Sequence, residues 1–235
     1  QELPSYDHEG LNTVNKNLII SDFSDADSLR IAIIADNHTY YKSFQSIVDR
    51  INETEEVDFA IHLGDMTDGG LWMEYNLMTD IMDKLEVPYL GVIGNHDCLS
   101  NGKHIFNDVF GPCDFYLDLG QYRFIFINDI AWEMGLETPK LDSLESFLQN
   151  KGDKIPLVFA HIPPDTDQFS PEGTATYFQL METYGVAFSC HGHQHNYLHY
   201  FVDQTEYLIA PWTRNEAYII LTISKQGVRH ELKEL

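Results

Sequence analysis

The sequence predicts an α/β protein built on two sheets. In the first half, short apolar runs alternate with stretches of helical period, the βαβαβ rhythm of a parallel sheet. The second half holds a hairpin signal and then strand after strand, which reads as a second, mixed sheet packed on the first. No repeat, low-complexity tract or linker splits the 235 residues, a length within the range of one large α/β domain.

Residues 1–28 are polar and acidic, with Asp22, Asp25 and Asp27 close together. They are expected to be a leader that hugs the domain or frays, with Leu18-Ile19-Ile20 adding a short edge strand. The single domain is expected to cover 29–235. Ile31 to Ala35 is a β-branched apolar run, hence a buried strand. Phe44, Ile47, Val48 and Ile51 follow at helical spacing. Phe59 to Leu63 is strand-like, and Leu71, Tyr75, Met78, Met82 and Leu85 mark a second helix. Pro88 stops it, and Tyr89 to Ile93 reads as the third strand. Phe115 to Leu119 and Tyr122 to Asn128 flank Gly120-Gln121, a two-residue hairpin turn. Thr138-Pro139 reads as a cap with a first-turn proline ahead of Leu141, Leu144 and Leu148. Leu157 to Ala160 is another buried strand. Tyr177, Leu180, Met181 and Tyr184 predict a helix, and Val186 to Ser189 a strand. The tail gives strands at Leu198 to Val202, Tyr207 to Ala210, Tyr218 to Ile223 and Val228 to Leu232.

The formal net charge is −23, from 14 Lys and Arg against 37 Asp and Glu. That balance opposes long-range attraction to nucleic acid or anionic lipid and argues against a nuclease tracking a backbone. No run is long and apolar enough to cross a bilayer as a helix. Cys98, Cys113 and Cys190 are an odd set rather than a disulfide framework, and free thiols are the expectation, with a Cys98–Cys113 bridge conceivable. Gln1 to Gly10 shows no signal peptide, and the chain starts without Met. The expectation is a trimmed or processed chain with an extracytoplasmic lean. Oligomeric state is open.

Five polar clusters each sit directly behind an apolar run: Asp36-Asn37-His38, Gly64 to Asp68, Gly94-Asn95-His96-Asp97, His161 before Ile162-Pro163-Pro164, and Gly192-His193-Gln194-His195. In open α/β sheets ligands gather outside the carboxyl ends of the strands, so five such ends converge. Carboxylates, imidazoles and one amide form a mixed oxygen and nitrogen set suited to Mn, Fe or Zn. Asp36 with His38, and His193 with His195, share i, i+2 spacing, which points both side chains of an extended pair the same way. Asp65 carries two oxygens and can bridge. Seven residues, Asp36, His38, Asp65, Asn95, His161, His193 and His195, could thus build two adjacent shells around paired divalent ions. Gly64, Gly94 and Gly192 suit tight turns that swing these ligands inward. Taken singly, Asp36 or Asp65 would read as a helix cap. As a set of seven, metal binding is the better reading.

In order and spacing, D-x-H, G-D-x-x-D, G-N-H-D, a lone H before prolines and G-H-x-H resemble the five signature blocks of the calcineurin-like metallophosphoesterases, spanning residues 36 to 195. The resemblance implies a four-layer α/β/β/α sandwich, two mixed sheets face to face with helices outside, and a di-metal phosphoesterase. It implies Asp36, His38, Asp65 and His195 around one ion, and Asp65, Asn95, His161 and His193 around the other. His96 corresponds to the family's catalytic imidazole and Asp68 to the carboxylate that orients it. Ions held there would supply Lewis acidity that lowers the pKa of a shared water, and the resemblance implies in-line attack of the resulting hydroxide on phosphorus. A protonated His96 would assist the leaving oxygen. Asp97 is expected to bond within its turn. Gly69-Gly70 follow Asp68 where protein phosphatases of the superfamily carry Arg, and purple acid phosphatases place Tyr where Asp68 stands. What remains resembles the small-molecule branch, acting on a small phosphodiester or monoester. The rival is a binding module of this fold that has lost catalysis, against which the intact set weighs.

His62 and His191, inside or beside apolar runs, are read as structural. His8, His104, His199 and His230 are read as surface or packing residues, with His104 the best outsider for the pocket. Trp72 and Tyr75 fit a helix core face. Substrate contacts are expected from the loops Leu99 to His104, Trp132 to Glu137 and Asp165 to Thr176, the last a candidate lid.

Overall fold

Strands β1 (Ser28–Ile34), β2 (Phe59–His62) and β3 (Tyr89–Gly91) pair in parallel, joined by helices α2 (Tyr41–Thr54) and α3 (Trp72–Met82). The computed structural model describes residues 8–54 and 56–235. On the other side of β1 lie β10 (Ala217–Ser224) and β11 (Gly227–Glu234), both antiparallel, giving the order β11-β10-β1-β2-β3. The second sheet takes β4 (Phe115–Leu119), β5 (Tyr122–Phe126), β6 (Ile155–Phe159), β7 (Phe188–His191), β8 (Leu198–Val202) and β9 (Thr205–Ile209), in the order β4-β5-β6-β7-β9-β8. Its β5, β6, β7 and β9 are parallel, with β4 and β8 antiparallel at the edges.

Strand periodicity sorts the core into layers. Ile31, Ile33, Phe59, Ile61, Phe124, Phe126, Leu157, Phe188, Leu208 and Leu221 fill one apolar layer between the sheets. Their neighbours Ala32, Ile34, Ala60, Ile125, Val158 and Tyr207 point outward and join the apolar faces of the helices. Those helices are α2, α3, α4 (Gly102–Val109), α5 (Asp142–Gln149) and α6 (Pro171–Tyr184). The result is the four-layer α/β/β/α sandwich. It buries two apolar faces per sheet, which is why the strands read as near-continuous apolar runs.

Several local readings are corrected. Leu18-Ile19-Ile20 is not an edge strand; it lies in helix α1 (Leu11–Phe23), where Ile19 is fully buried and Leu18 is half exposed. Residues 1–7 of the expected leader lie outside the described residues. Helix α1 is tied to the sheet at residue level. The Asn12 side chain donates to the Gly91 carbonyl (2.9 Å) and accepts from the Gly91 N–H (2.8 Å), and Asn15 donates to the Tyr89 carbonyl (2.8 Å). Two amides thus act as the missing neighbour of edge strand β3.

Thr138-Pro139 does not start a helix: α5 begins at Asp142, and Thr138 Oγ1 instead accepts the Ser170 N–H. The cap-and-proline signature belongs to Ser170-Pro171, where Ser170 Oγ accepts the Gly173 N–H at 3.1 Å and opens α6. The expected lid over Asp165 to Thr176 is therefore half helix. The loop from Leu99 to His104 likewise runs into α4 from Gly102. His104 lies 70% exposed on α4, facing Asp108 at 3.8 Å. All three cysteines are free thiols.

Candidate metal centre

Each predicted cluster follows the carboxyl end of a parallel strand. Asp36 and His38 follow β1, Asp65 follows β2, Asn95 and His96 follow β3, His161 follows β6, and His193 and His195 follow β7. The loops are cross-linked through their backbones. Asp36 N–H donates to the Gly64 carbonyl, His38 N–H to the Asp65 carbonyl, and Gly192 N–H to the His161 carbonyl. Of the three predicted glycines, only Gly64 has a positive φ (94°); Gly94 serves by close approach, since a Cβ there would sit 2.1 Å from the Asp65 nitrogen.

Five of the eight non-glycine residues at positive φ among the described residues are predicted ligands: Asp36, His38, Asp65, His193 and His195. That region is sparsely populated by residues with a side chain, and strain of this kind clusters at functional sites. The expected extended i, i+2 geometry is thereby corrected: left-handed turns, not strand backbone, aim these pairs.

The donors converge. His195 Nε2 lies 3.5 Å from Asp36 Oδ1 and 3.5 Å from His38 Nε2. His38 Nε2 is 3.7 Å from Asp65 Oδ2, and His161 Nε2 is 3.3 Å from that same oxygen. Asn95 Oδ1 is 3.2 Å from His161 Nε2 and 3.0 Å from His193 Nδ1. Ligand bonds of about 2.1 Å place neighbouring donors about 3.0 Å apart in an octahedral shell and about 3.4 Å apart in a tetrahedral one. Most of these separations are long for hydrogen bonds and right for donors sharing a cation. Asp36, His38 and His195 form one such group, and Asp65, His161 and His193 another. The shared element is a single oxygen, Asp65 Oδ2, because Asp65 Oδ1 accepts the His96 N–H at 2.8 Å.

Electrostatics agree with the geometry. Burial pushes His38 down, and burial followed by the nearby His161 takes His193 to about 4, so both offer neutral nitrogens. Burial opposes charge on Asp65 and His161 too, but their mutual attraction wins: the carboxyl is held low and the imidazole high. His161 Nδ1 donates to the Leu63 carbonyl at 2.7 Å, which turns Nε2 toward the donors. His62 and His191 are the structural residues expected. Both are fully buried and pushed to about 3 by burial, and they bond the Gly64 N–H and the Ser189 hydroxyl.

His96 stands on the rim with its side chain 35% exposed. Its ring is held by the Asp68 carbonyl, 2.8 Å from Nδ1, whereas the Asp68 carboxylate is 60% exposed and 3.8 Å from the same nitrogen. The orienting contact comes from the backbone of Asp68. Asp97 does more than close its own turn. Fully buried, it accepts the N–H groups of Met66, Thr67 and Gly94 and the Thr67 hydroxyl, knotting the second block to the third.

Three supporting residues escaped the sequence reading. Glu133 Oε1 accepts from Asn95 Nδ2 at 3.2 Å, which turns the amide oxygen toward His161 and His193. Asp129, fully buried, accepts the N–H groups of His161 and Ile162. Trp212 stacks on His195, centroids 4.3 Å apart at 16°, and the Arg214 guanidinium lies 5.1 Å from the Trp212 ring and 5.4 Å from Tyr40. Glu133 fell inside a loop singled out for substrate, but nothing in its spacing marks it as a partner of Asn95.

The family model described as calcineurin-like phosphoesterase matches residues 29–197, which contain all five blocks. "Probable glycerophosphodiester phosphodiesterase GpdQ" of Arcobacter nitrofigilis is 28% identical over 138 residues, 53% of this chain and 49% of that protein. The 3',5'-cyclic-nucleotide phosphodiesterase alr5338 of Nostoc sp. is 26% identical over 127 residues, 52% of this chain and 48% of that protein. The chain spans about half the length of these curated relatives. Among solved structures, a dimetal phosphatase from Danio rerio superposes with a TM-score of 0.69 over 87% of this chain and 98% of its own, at 12% identity, a likeness of fold. With the family model covering most of the chain and every block in its place at a strand end, this protein belongs to the calcineurin-like phosphoesterase family.

Proposed function

We propose that this chain is a di-metal phosphoesterase that hydrolyses a small phosphodiester or monoester. The observation that supports it is the joining of two donor groups, Asp36–His38–His195 and Asp65–His161–His193, through Asp65 Oδ2, which lies 3.7 Å from His38 Nε2 and 3.3 Å from His161 Nε2. Asp36, His38, Asp65 and His195 would hold one divalent ion, and Asp65, Asn95, His161 and His193 the other; Mn, Fe or Zn suit this mixed set. Bound there, the ions would supply Lewis acidity, lowering the pKa of a water and neutralising phosphate oxygens.

The chain's own groups do the rest. Leu63 and Glu133 fix the ring of His161 and the amide of Asn95, so the donors need no rearrangement. His96 Nδ1–H is committed to the Asp68 carbonyl, which leaves Nε2 to hand a proton to the departing oxygen as water adds to phosphorus on the opposite side. In the metal-free protein burial pushes His96 down, but Asp65, the Asp68 carbonyl and the Asp68 carboxylate outweigh it and raise it, which favours the acid form. Arg214, on the Trp212 ring that stacks on His195, would meet the anionic part of a substrate, and the exposed Trp132, next to Glu133, an apolar part. Both curated relatives are named as diesterases, which favours a diester over a monoester.

The test is a metal-supplemented panel of bis-p-nitrophenyl phosphate, p-nitrophenyl phosphate and cyclic nucleotides, run beside metal analysis. Turnover of a diester with close to two ions bound supports the reading. A metal-loaded chain inert to all three would favour the rival, a silent binding module of this fold.

A further inference from the structure

The open flank of the sandwich, bounded by edge strands β8 and β11, carries a second convergence of donors that shares no residue with the centre above. His199 on β8 and Glu206 on β9 lie on one face of their sheet, because the register pairs His199 with Leu208 and Phe201 with Glu206. Leu208 belongs to the layer between the sheets, so that face is the inner one. His230 on β11 pairs with Leu221, another inter-sheet residue, and so points inward from the opposite sheet. The three meet at one atom: Glu206 Oε1 is 3.2 Å from His199 Nδ1 and 2.9 Å from His230 Nε2. All three donor atoms lie within 4.8 Å of one another.

We propose that His199, Glu206 and His230 form a mononuclear site for a zinc-class divalent ion, which ties the two sheets together at their open flank. Two imidazoles and one carboxylate are a ligand set that zinc takes, with a fourth position left for water. The separations of 2.9 and 3.2 Å lie close to the edges of its shell, about 3.0–3.4 Å for bonds of about 2.1 Å, and the shorter is a His230–Glu206 hydrogen bond that the ion would replace. Two further observations point the same way. His230 Nδ1 bonds the Tyr197 hydroxyl at 3.0 Å, which orients the ring and leaves Nε2 for the ion, the outer contact usual for a metal-binding histidine. Burial is graded: His230 is 9% and Glu206 15% exposed, while His199 is 48% exposed, so the site is preformed on its inner side and open to solvent at its rim. The ion would join side chains of β8, β9 and β11, two from one sheet and one from the other. This inference does not rest on the phosphoesterase reading.

The experiment uses the full chain, stripped with chelator and titrated with Zn2+ alone, bound zinc being counted per chain. His199→Ala and Glu206→Gln are each expected to hold one zinc fewer than the wild type and to keep bis-p-nitrophenyl phosphate turnover. Co2+ gives the second readout. In a background carrying Asp65→Asn and His161→Ala, the visible bands of low-coordinate cobalt should persist, and His199→Ala should abolish them. His199 is half exposed, so its replacement is expected to leave the fold intact, and a thermal melt of every variant, the Asp65→Asn/His161→Ala background included, verifies it before its cobalt spectrum is read. Equal zinc counts in wild type and variants, or no cobalt band in that background, would overturn the site.

Discussion

His96 stands at the rim of the centre, outside the seven predicted ligands although its ring lies within reach of His38 and Asp65, and its removal separates binding from chemistry. His96→Ala should keep both ions, read by metal analysis, and lose about 10²–10⁴-fold in kcat, the usual contribution of a general acid. Unchanged turnover would remove it from that role. Asp129 yields a pH prediction. Burial raises its carboxyl from 3.8 to about 7 against the hydrogen bonds from Ile162 and His161. The native state therefore binds the extra proton, and the group's contribution to stability falls as pH rises through that window. In chelator-treated protein, the melting-temperature gap between Asp129→Asn and wild type should widen in the variant's favour from about pH 4 to about pH 7. A constant gap would show that Asp129 titrates normally. Residue identities at the centre were legible because each cluster follows an apolar run. Their partners Glu133, Asp129 and Trp212 were not, since contacts across separate loops leave no periodic trace.

At the scale of elements, the parallel strands and the helices α2, α3 and α6 were legible, since burial on one helix face, or on both strand faces, writes a period. Two helices were not. In α1 only Asn12, Asn15 and Ile19 are buried, and two of those three are polar, so the hydrophobic pattern is faint. In α4 the spaced residues Ile105, Phe106 and Val109 are present, but the helix is only eight residues long and its first turn fell in the stretch Leu99 to His104 read as loop. The amides of α1 give a stability test. Asn12→Ala leaves the buried N–H and carbonyl of Gly91 without partners, at a cost of about 1–3 kcal/mol. The melting temperature should fall while turnover by folded protein stays unchanged. A shift no larger than that of an exposed alanine substitution would mean that α1 is only laid against the sheet.

Across the whole molecule, the charge of −23 and the carboxylates gathered at the strand ends act against compaction until a cation is bound. Because the donors are assembled only in the folded chain, ions bind the native state and stabilise it by mass action. EDTA should therefore lower the melting temperature, and Mn2+ or Zn2+ should restore it. Asp65→Asn should weaken both ion positions together, and metal analysis showing loss of one alone would argue against the shared oxygen. The five-stranded sheet has two edges of different character. On one, α1 runs beside β3, the last strand of its sheet. On the other, β11 sets Arg229, Glu231 and Lys233 along a strand that stays partly wet. Charge on a terminal strand discourages foreign pairing, whereas bare backbone invites it. A chain shortened past Phe23 would offer β3 to its own copies and gain a new edge for strand addition, giving paired or chained assemblies rather than an amorphous precipitate.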